Sequence, residues 1–163
     1  MMSVTRVKAY LDRYGMGGRV MELALSSATV ELAAQALGTQ AARIAKTLSF
    51  QGLEGIILVV AAGDARIDNA KYKACFGLKA RMLAPEEVLE NIGHAIGGVC
   101  PFAIENPMVK VYLDESLKRF VTVYPACGSS NSAVEMNLEE LEMTSQSTGW
   151  VNVCKGWQEE EAE

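Results

Sequence analysis

Lys46 is the residue whose setting first suggests chemistry. It stands alone among apolar neighbours in Arg43-Ile-Ala-Lys-Thr-Leu-Ser-Phe50. Turned into a cleft, such a lysine is a point charge for a phosphate or a carboxylate; turned outward, it is a snorkelling surface residue. Gly97-Gly98 lets a ligand come close to the backbone and aims N–H groups at an anion or carbonyl, or is a plain sharp turn. Cys127-Gly-Ser-Ser-Asn131 offers hydroxyl, amide and backbone groups to a ligand, or is an ordinary polar turn. The standard catalytic sets are missing: there is no GxGxxG, no Walker-type GKS/T, no HExxH and no GxSxG. The single histidine, His94, has no partner motif and reads as a loop or surface residue rather than a base. Cys75, Cys100, Cys127 and Cys154 are spread without a CxxC pair, so neither a zinc site nor a disulfide framework has support. They read as small buried or half-buried thiols. A mechanism built on backbone amides and on the substrate's own groups fits this inventory best.

The elements that must position these residues alternate between helix and strand. Val4, Val7, Tyr10, Leu11 and Tyr14 have helical spacing over 3–14, with Ser3 as cap and Gly15 as stop. Thr29 caps a second helix that Gly38 ends, and 39–45 reads as a short third helix. This places Lys46 at a helix-to-strand junction, before a strand over 47–50. The run from Gly55 to Gly63 is a strand buried on both faces and makes a hairpin with it. Asp68 caps a helix ending near Gly77, 80–83 is a short strand, and Pro85 opens a helix ending near Gly93. Strands follow at 109–113, 120–124, 133–136 and 150–154, with Asn137 and Glu140 at capping-box spacing. The pattern is a mixed α/β domain, a barrel-like sheet flanked by helices.

The chain has 163 residues, half of them hydrophobic and 21% charged, which suits one globular domain over residues 1–157. Its longest apolar run, 56–62, is far short of the ~20 residues of a membrane span. The N-terminal segment has no apolar core of a secretory signal, so a cytoplasmic location and no membrane partner are expected. Most of the net charge of −5 sits in an acidic tail, Glu159, Glu160, Glu161 and Glu163, within 158–163, expected to be solvated and disordered. The body is close to neutral, which argues against duplex DNA as a partner and leaves room for one stretch of RNA.

Six stretches, taken together, resemble the YbaK/EbsC family, the prolyl-tRNA-synthetase-associated editing domain. They are 29–38, Ile44-Ala-Lys-Thr-Leu48, 62–68, Gly97-Gly-Val-Cys-Pro-Phe102, Val111-Tyr-Leu-Asp114 and the Gly128 loop followed by Val134-Glu-Met136. They occur in family order over about residues 25 to 145, and the Lys46 and GGVxPF pieces are the specific pair. The resemblance implies a barrel-like fold and a deacylase that works in trans on mischarged tRNA, Cys- or Ala-tRNA for proline. It implies Lys46 and Gly98 as catalytic residues, Lys46 holding the 3′-terminal nucleotide and the glycine loop facing the ester. Thr47, Gly97, Val99, Cys100, Gly128, Ser129, Ser130 and Asn131 are implied as substrate-binding. The tRNA acceptor end and a prolyl-tRNA synthetase are the implied partners, without a cofactor or metal. Cys100 stands where many members carry Ser, and Thr47 where some alanine-editing members carry Asn. The last loop has Ser, Ser and Asn where others use histidine. Cysteine fits better, because its own thiol can attack its ester. A non-catalytic module that binds tRNA ends or a synthetase is the alternative. A thiol enzyme using Cys100 or Cys127 has little support; both thiols are expected as small walls of the pocket. Gly98→Ala is expected to impair turnover while sparing stability.

Overall fold

The computed structural model describes residues 3–157, so the acidic tail lies outside the described residues. The chain runs α1 (Ser3–Asp12), β1 (Met21–Glu22), α2 (Val30–Leu37), β2 (Ile44–Gln51), β3 (Ile56–Ala62), β4 (Arg66–Ile67), α3 (Asn69–Phe76) and α4 (Pro85–Ile92). It continues with β5 (Val109–Asp114), β6 (Thr122–Pro125), β7 (Ser132–Ala133), β8 (Met136–Asn137), α5 (Leu138–Thr144), β9 (Gly149–Val151) and β10 (Cys154–Lys155).

The centre is β3. All seven of its residues are buried, as its unbroken apolar run requires. It pairs antiparallel with β2 and parallel with β5, inside a mixed sheet ordered β8-β6-β2-β3-β5-β9 that curls into a half-barrel. Two short pairs, β1 with β7 and β4 with β10, lie outside that sheet. Val4, Val7 and Leu11 bury one stripe of α1. Phe50, Tyr72, Phe76 and Tyr112 form an aromatic chain with successive ring centroids 4.9, 4.8 and 5.0 Å apart. The Thr29, Asp68 and Asn137 side chains each accept a backbone N–H at the start of α2, α3 and α5.

Several elements differ from the sequence reading. The expected third helix shrinks to one 3₁₀ turn, Ala41–Arg43, and β2 already begins at Ile44. Tertiary pairing explains this: Ala45 and Lys46 face Ala62 and Ala61 of β3. Residues 80–83 contribute one bridge, Met82 to Phe50. The stretch expected at 133–136 divides between β7 and β8, which pair with different strands. The last strand likewise divides into β9 and β10.

Asp114, fully buried at the end of β5, ties these parts together. It accepts from the backbone N–H groups of Ser116 (3.0 Å) and Val153 (2.9 Å), and Ser116 Oγ accepts from Ala62 N at 3.0 Å. Asp114→Ala leaves two buried N–H groups without partners at about 1–3 kcal/mol each. We expect stability to fall by about 2–6 kcal/mol, read as a lower urea midpoint at unchanged slope.

Candidate active site

Lys46 is the third residue of β2, not a junction residue. Its Nζ donates to Gly63 O at 3.3 Å and to Ala65 O, the carbonyls of the turn after β3. Two of its three N–H groups are thus engaged and one is left for a ligand. Burial pushes its pKa below the usual lysine range, with Cys154, Asp64 and Glu31 pulling the other way.

Lys46 lines a cavity of about 210 Å³. This cavity opens where strand pairing stops: β6 pairs with Ile44 and Ala45 of β2 and no further. Past that point the chain at Ala126 turns away, and Ala45, Lys46, Thr47 and Ala126 line the gap. Ser27, Ala28, Thr29, Val30 and Ala33 close a second side, Ile96, Gly97 and Val99 a third, and Ser132 and Ala133 a fourth. Thr47 Oγ1 is buried and has no hydrogen-bond partner among the described residues. The lining holds no carboxylate, imidazole or thiol. Of the expected site residues, Lys46, Thr47, Gly97 and Val99 are brought together here.

Gly98 takes a different part. Its amide donates to Ala95 O at 3.0 Å, closing the turn. A Cβ built on it would lie 2.5 Å from Gly128 C and Ser129 N, so its Cα rests on the Gly128–Ser129 peptide. Gly97, at φ +96°, uses the left-handed region that favours glycine. Gly97 and Val99, whose amides donate no hydrogen bond among the described residues, are the loop's lining residues beside Gly98.

Gly128, Ser129, Ser130 and Asn131 stand behind the lining and hold it. Ser130 O accepts from Ser27 N (2.5 Å) and Ser27 Oγ (3.0 Å). Asn131 O accepts from Leu23 N, and Asn131 Nδ2 donates to Leu23 O at 3.1 Å. These bonds fasten the segment that carries Ser27, Ala28 and the Thr29 cap. Of the wall positions not assigned to the site from sequence, Thr29, Val30 and Ala33 lie within the 29–38 stretch, whereas Ser27, Ala28, Ile96, Ala126, Ser132 and Ala133 carry no motif. Their neighbourhood to expected residues was the only signal.

The thiols and the imidazole are placed otherwise than expected. Cys100 and Cys127 are fully buried core residues and line no part of this cavity. His94 is also fully buried, not a surface residue. Its Nε2 lies 2.8 Å from Phe102 O and 3.5 Å from Cys100 Sγ, and its Nδ1 lies 3.2 Å from Ser3 Oγ. Burial pushes the Cys100 thiol up to about 12 and lowers the His94 pKa. A neutral thiol beside an imidazole whose Nε2 proton goes to Phe102 O is not an activated nucleophile. The thiol electrostatically coupled to Lys46 is Cys154, itself raised to about 12, first by burial and then by the Asp114 carboxylate.

The fold is thus a half-barrel sheet that sets a half-buried lysine beside a small cavity. Residues 26–143 match the model of the aminoacyl-tRNA editing domain, and the chain belongs to that family. It is 54% identical to the uncharacterized protein YwhH of Bacillus subtilis over 159 residues, covering 96% of this chain and all of that one. It is 33% identical over 94 residues to the proline–tRNA ligase of Thermotoga maritima, covering 57% of this chain and 16% of that enzyme. Among solved structures, the crystal structure of a candidate trans-editing enzyme for prolyl tRNA synthetase superposes with a TM-score of 0.85 at 34% identity, covering 94% of this chain and 98% of that one.

Because Gly98 touches backbone, Gly98→Ala should act first on stability, contrary to the sequence expectation. A forced backbone shift costs about 1–3 kcal/mol, and we expect the thermal midpoint to fall by about 3–10 °C in a melting experiment. His94 gives a second test. Its folded pKa lies below that of the unfolded chain, so the unfolded state takes up the proton first as pH falls. Stability should therefore decline as pH drops below about 6.5. In His94→Gln the decline over that window should be smaller, whatever the variant's stability at neutral pH.

Proposed function

We propose that this protein is an aminoacyl-tRNA deacylase acting in trans, in the cytoplasm, on tRNA for proline wrongly charged with cysteine, and secondarily with alanine. The observation that supports this most is the size and lining of the Lys46 cavity. At about 210 Å³ it is below the range of drug-sized pockets and suits one small aminoacyl group. Its walls are mainly alanine, glycine, serine and threonine.

The remaining Lys46 N–H donates to the terminal phosphate or to the ester carbonyl of the bound end. The Gly97 and Val99 amides receive the oxygen on which negative charge develops. No residue of the lining can serve as a general base at neutral pH, so the nucleophile comes from outside the protein. With cysteine it is the substrate's thiol: sulfur attacks the ester carbon, the bond to the ribose oxygen breaks, and the thiol proton goes to that oxygen. Water then opens the resulting thiolactone to free cysteine. Positioning and charge stabilisation are what the protein contributes. The similarity to part of a proline–tRNA ligase supports tRNA for proline as substrate and the synthetase as a partner.

The test is single-turnover deacylation of Cys-, Ala- and Ser-charged tRNA for proline. Cysteine should be released fastest. Lys46→Ala should slow it roughly ten- to a hundredfold, the worth of a charge-assisted contact of about 1.5–3 kcal/mol. The alkaline limb of kcat/KM should fall below the ~10.4 of an ordinary lysine, because burial lowers the Lys46 pKa. Unchanged release by Lys46→Ala, or no release of any amino acid, refutes the reading; the second outcome favours a module that binds without turnover.

A further inference from the structure

A second, larger cavity of about 650 Å³ lies apart from Lys46 and shares no lining residue with its cavity. One wall is a face of α1 carrying Arg6 and Tyr10, continued by Arg13 in the turn just after the helix. The others are the loop from Pro101 to Pro107, the start of β5 with Lys110, and the segment 145–148 that follows α5. Three cations line it against one carboxylate, Glu105. Among the described residues, none of Arg6, Arg13 and Lys110 forms an ion pair. The local excess of positive charge stands out on a body that is otherwise close to neutral.

The backbone marks the same place. Among the described residues only two non-glycine residues have positive φ, Ala103 at 58° and Gln146 at 51°, and both line this cavity. Such conformations cost energy and gather at functional sites. Arg6 is already shaped into the wall: its Nη2 donates to Gly93 O (3.3 Å) and to Ala103 O (3.5 Å), one of the strained residues. Arg13 lies over the Tyr10 ring at 5.0 Å and keeps its N–H groups for other partners.

We propose that this cavity is a second anion site that binds the sugar–phosphate backbone of the RNA substrate. This rests on the reading that the substrate is an aminoacyl-tRNA. From Arg6 to the end of α1 at Asp12 is about 9 Å along the helix axis, with Arg13 in the turn just beyond, which spans nearly three steps of a stacked strand at ~3.4 Å each. The cavity also meets the Lys46 site through one loop: Val99 lines the first and Pro101 the second, at most about 7 Å apart along the chain. One RNA can therefore touch both faces of that loop, its charged end at Lys46 and its phosphates between α1 and β5. The affinity lies in the phosphate contacts, and the small cavity is left to select the amino acid.

The experiment measures binding of an uncharged acceptor-stem hairpin by fluorescence anisotropy between 50 and 200 mM salt, for the full-length protein and for an Arg13→Gln, Lys110→Gln double variant. Both side chains are exposed, so the fold should be unaffected, and a thermal melt checks this. Two lost phosphate contacts should weaken binding about 25- to 60-fold at 0.1 M salt and make the salt dependence shallower by about 1.4–1.8. Single-turnover release at subsaturating Cys-tRNA should fall in step with the weaker binding. Equal affinity and equal salt slope for the two proteins overturn the proposal. So does a hairpin that binds neither protein while inorganic phosphate or a free nucleotide binds in an Arg13- and Lys110-dependent way, which makes the site one for a small anion. Deacylation that depends on Lys46, with no difference in hairpin binding, refutes this site alone. A difference in hairpin binding without any deacylation refutes the catalytic reading alone.

Discussion

Two backbone segments meet with no side chain between them, at Gly98 and the Gly128–Ser129 peptide, and the Lys46 cavity depends on that contact. Any Cβ at position 98 would overlap the peptide. Because the segments touch, Gly97 and Val99 stand on one side of the cavity, and Ser132 and Ala133 stand on another. The second loop then fixes the segment before α2 through the Ser27–Ser130 and Leu23–Asn131 bonds. Walls held this close by backbone are lined mainly by small residues, with Val30, Ile44, Ile96 and Val99 among them. The narrowness of the cavity is a consequence of main-chain proximity rather than of large side chains filling a wider space.

The charge in that cavity is held from the other direction, by the core. A lysine half removed from water needs partners for its N–H groups. Lys46 finds them in the carbonyls of Gly63 and Ala65, which follow directly on the fully buried β3. The end of β3 is fixed in turn by Ser116 and Asp114. A chain of hydrogen bonds thus runs from a buried carboxylate in the sheet to the ammonium at the site. The turn cannot move without exposing β3, and the ammonium cannot leave without uncovering two carbonyls.

The remaining reactive groups are spent on packing. Cys100, Cys127 and His94 fill the core behind the glycine loop, where burial keeps the thiols protonated and the imidazole neutral. His94 joins the loop at Phe102 to the start of α1 at Ser3. It thereby links the wall of one cavity to the helix that walls the other. The loop from 94 to 107 is the one element common to both cavities, and its conformation includes the strained Ala103.

Some of this was written in local sequence. The caps at Thr29, Asp68 and Asn137, the glycine stops at 38, 77 and 93, and the buried run of β3 follow from side-chain oxygens, missing Cβ atoms and unbroken apolarity. A lone lysine and a glycine pair also announced themselves by type, and the order of the motifs announced the family. What local signals could not contain is which face each residue presents. Ile44 and Ala45 look like the end of a helix until β3 and β6 supply partners. Gly98 looks like a ligand contact until Gly128, thirty residues away, is found against it. His94 looks exposed until Phe102 and Ser3 close over it. The small wall residues were invisible because alanine and serine carry no pattern. The positions of all of these are set by contacts between distant segments, and such contacts exist only once the chain has paired its strands and buried its core.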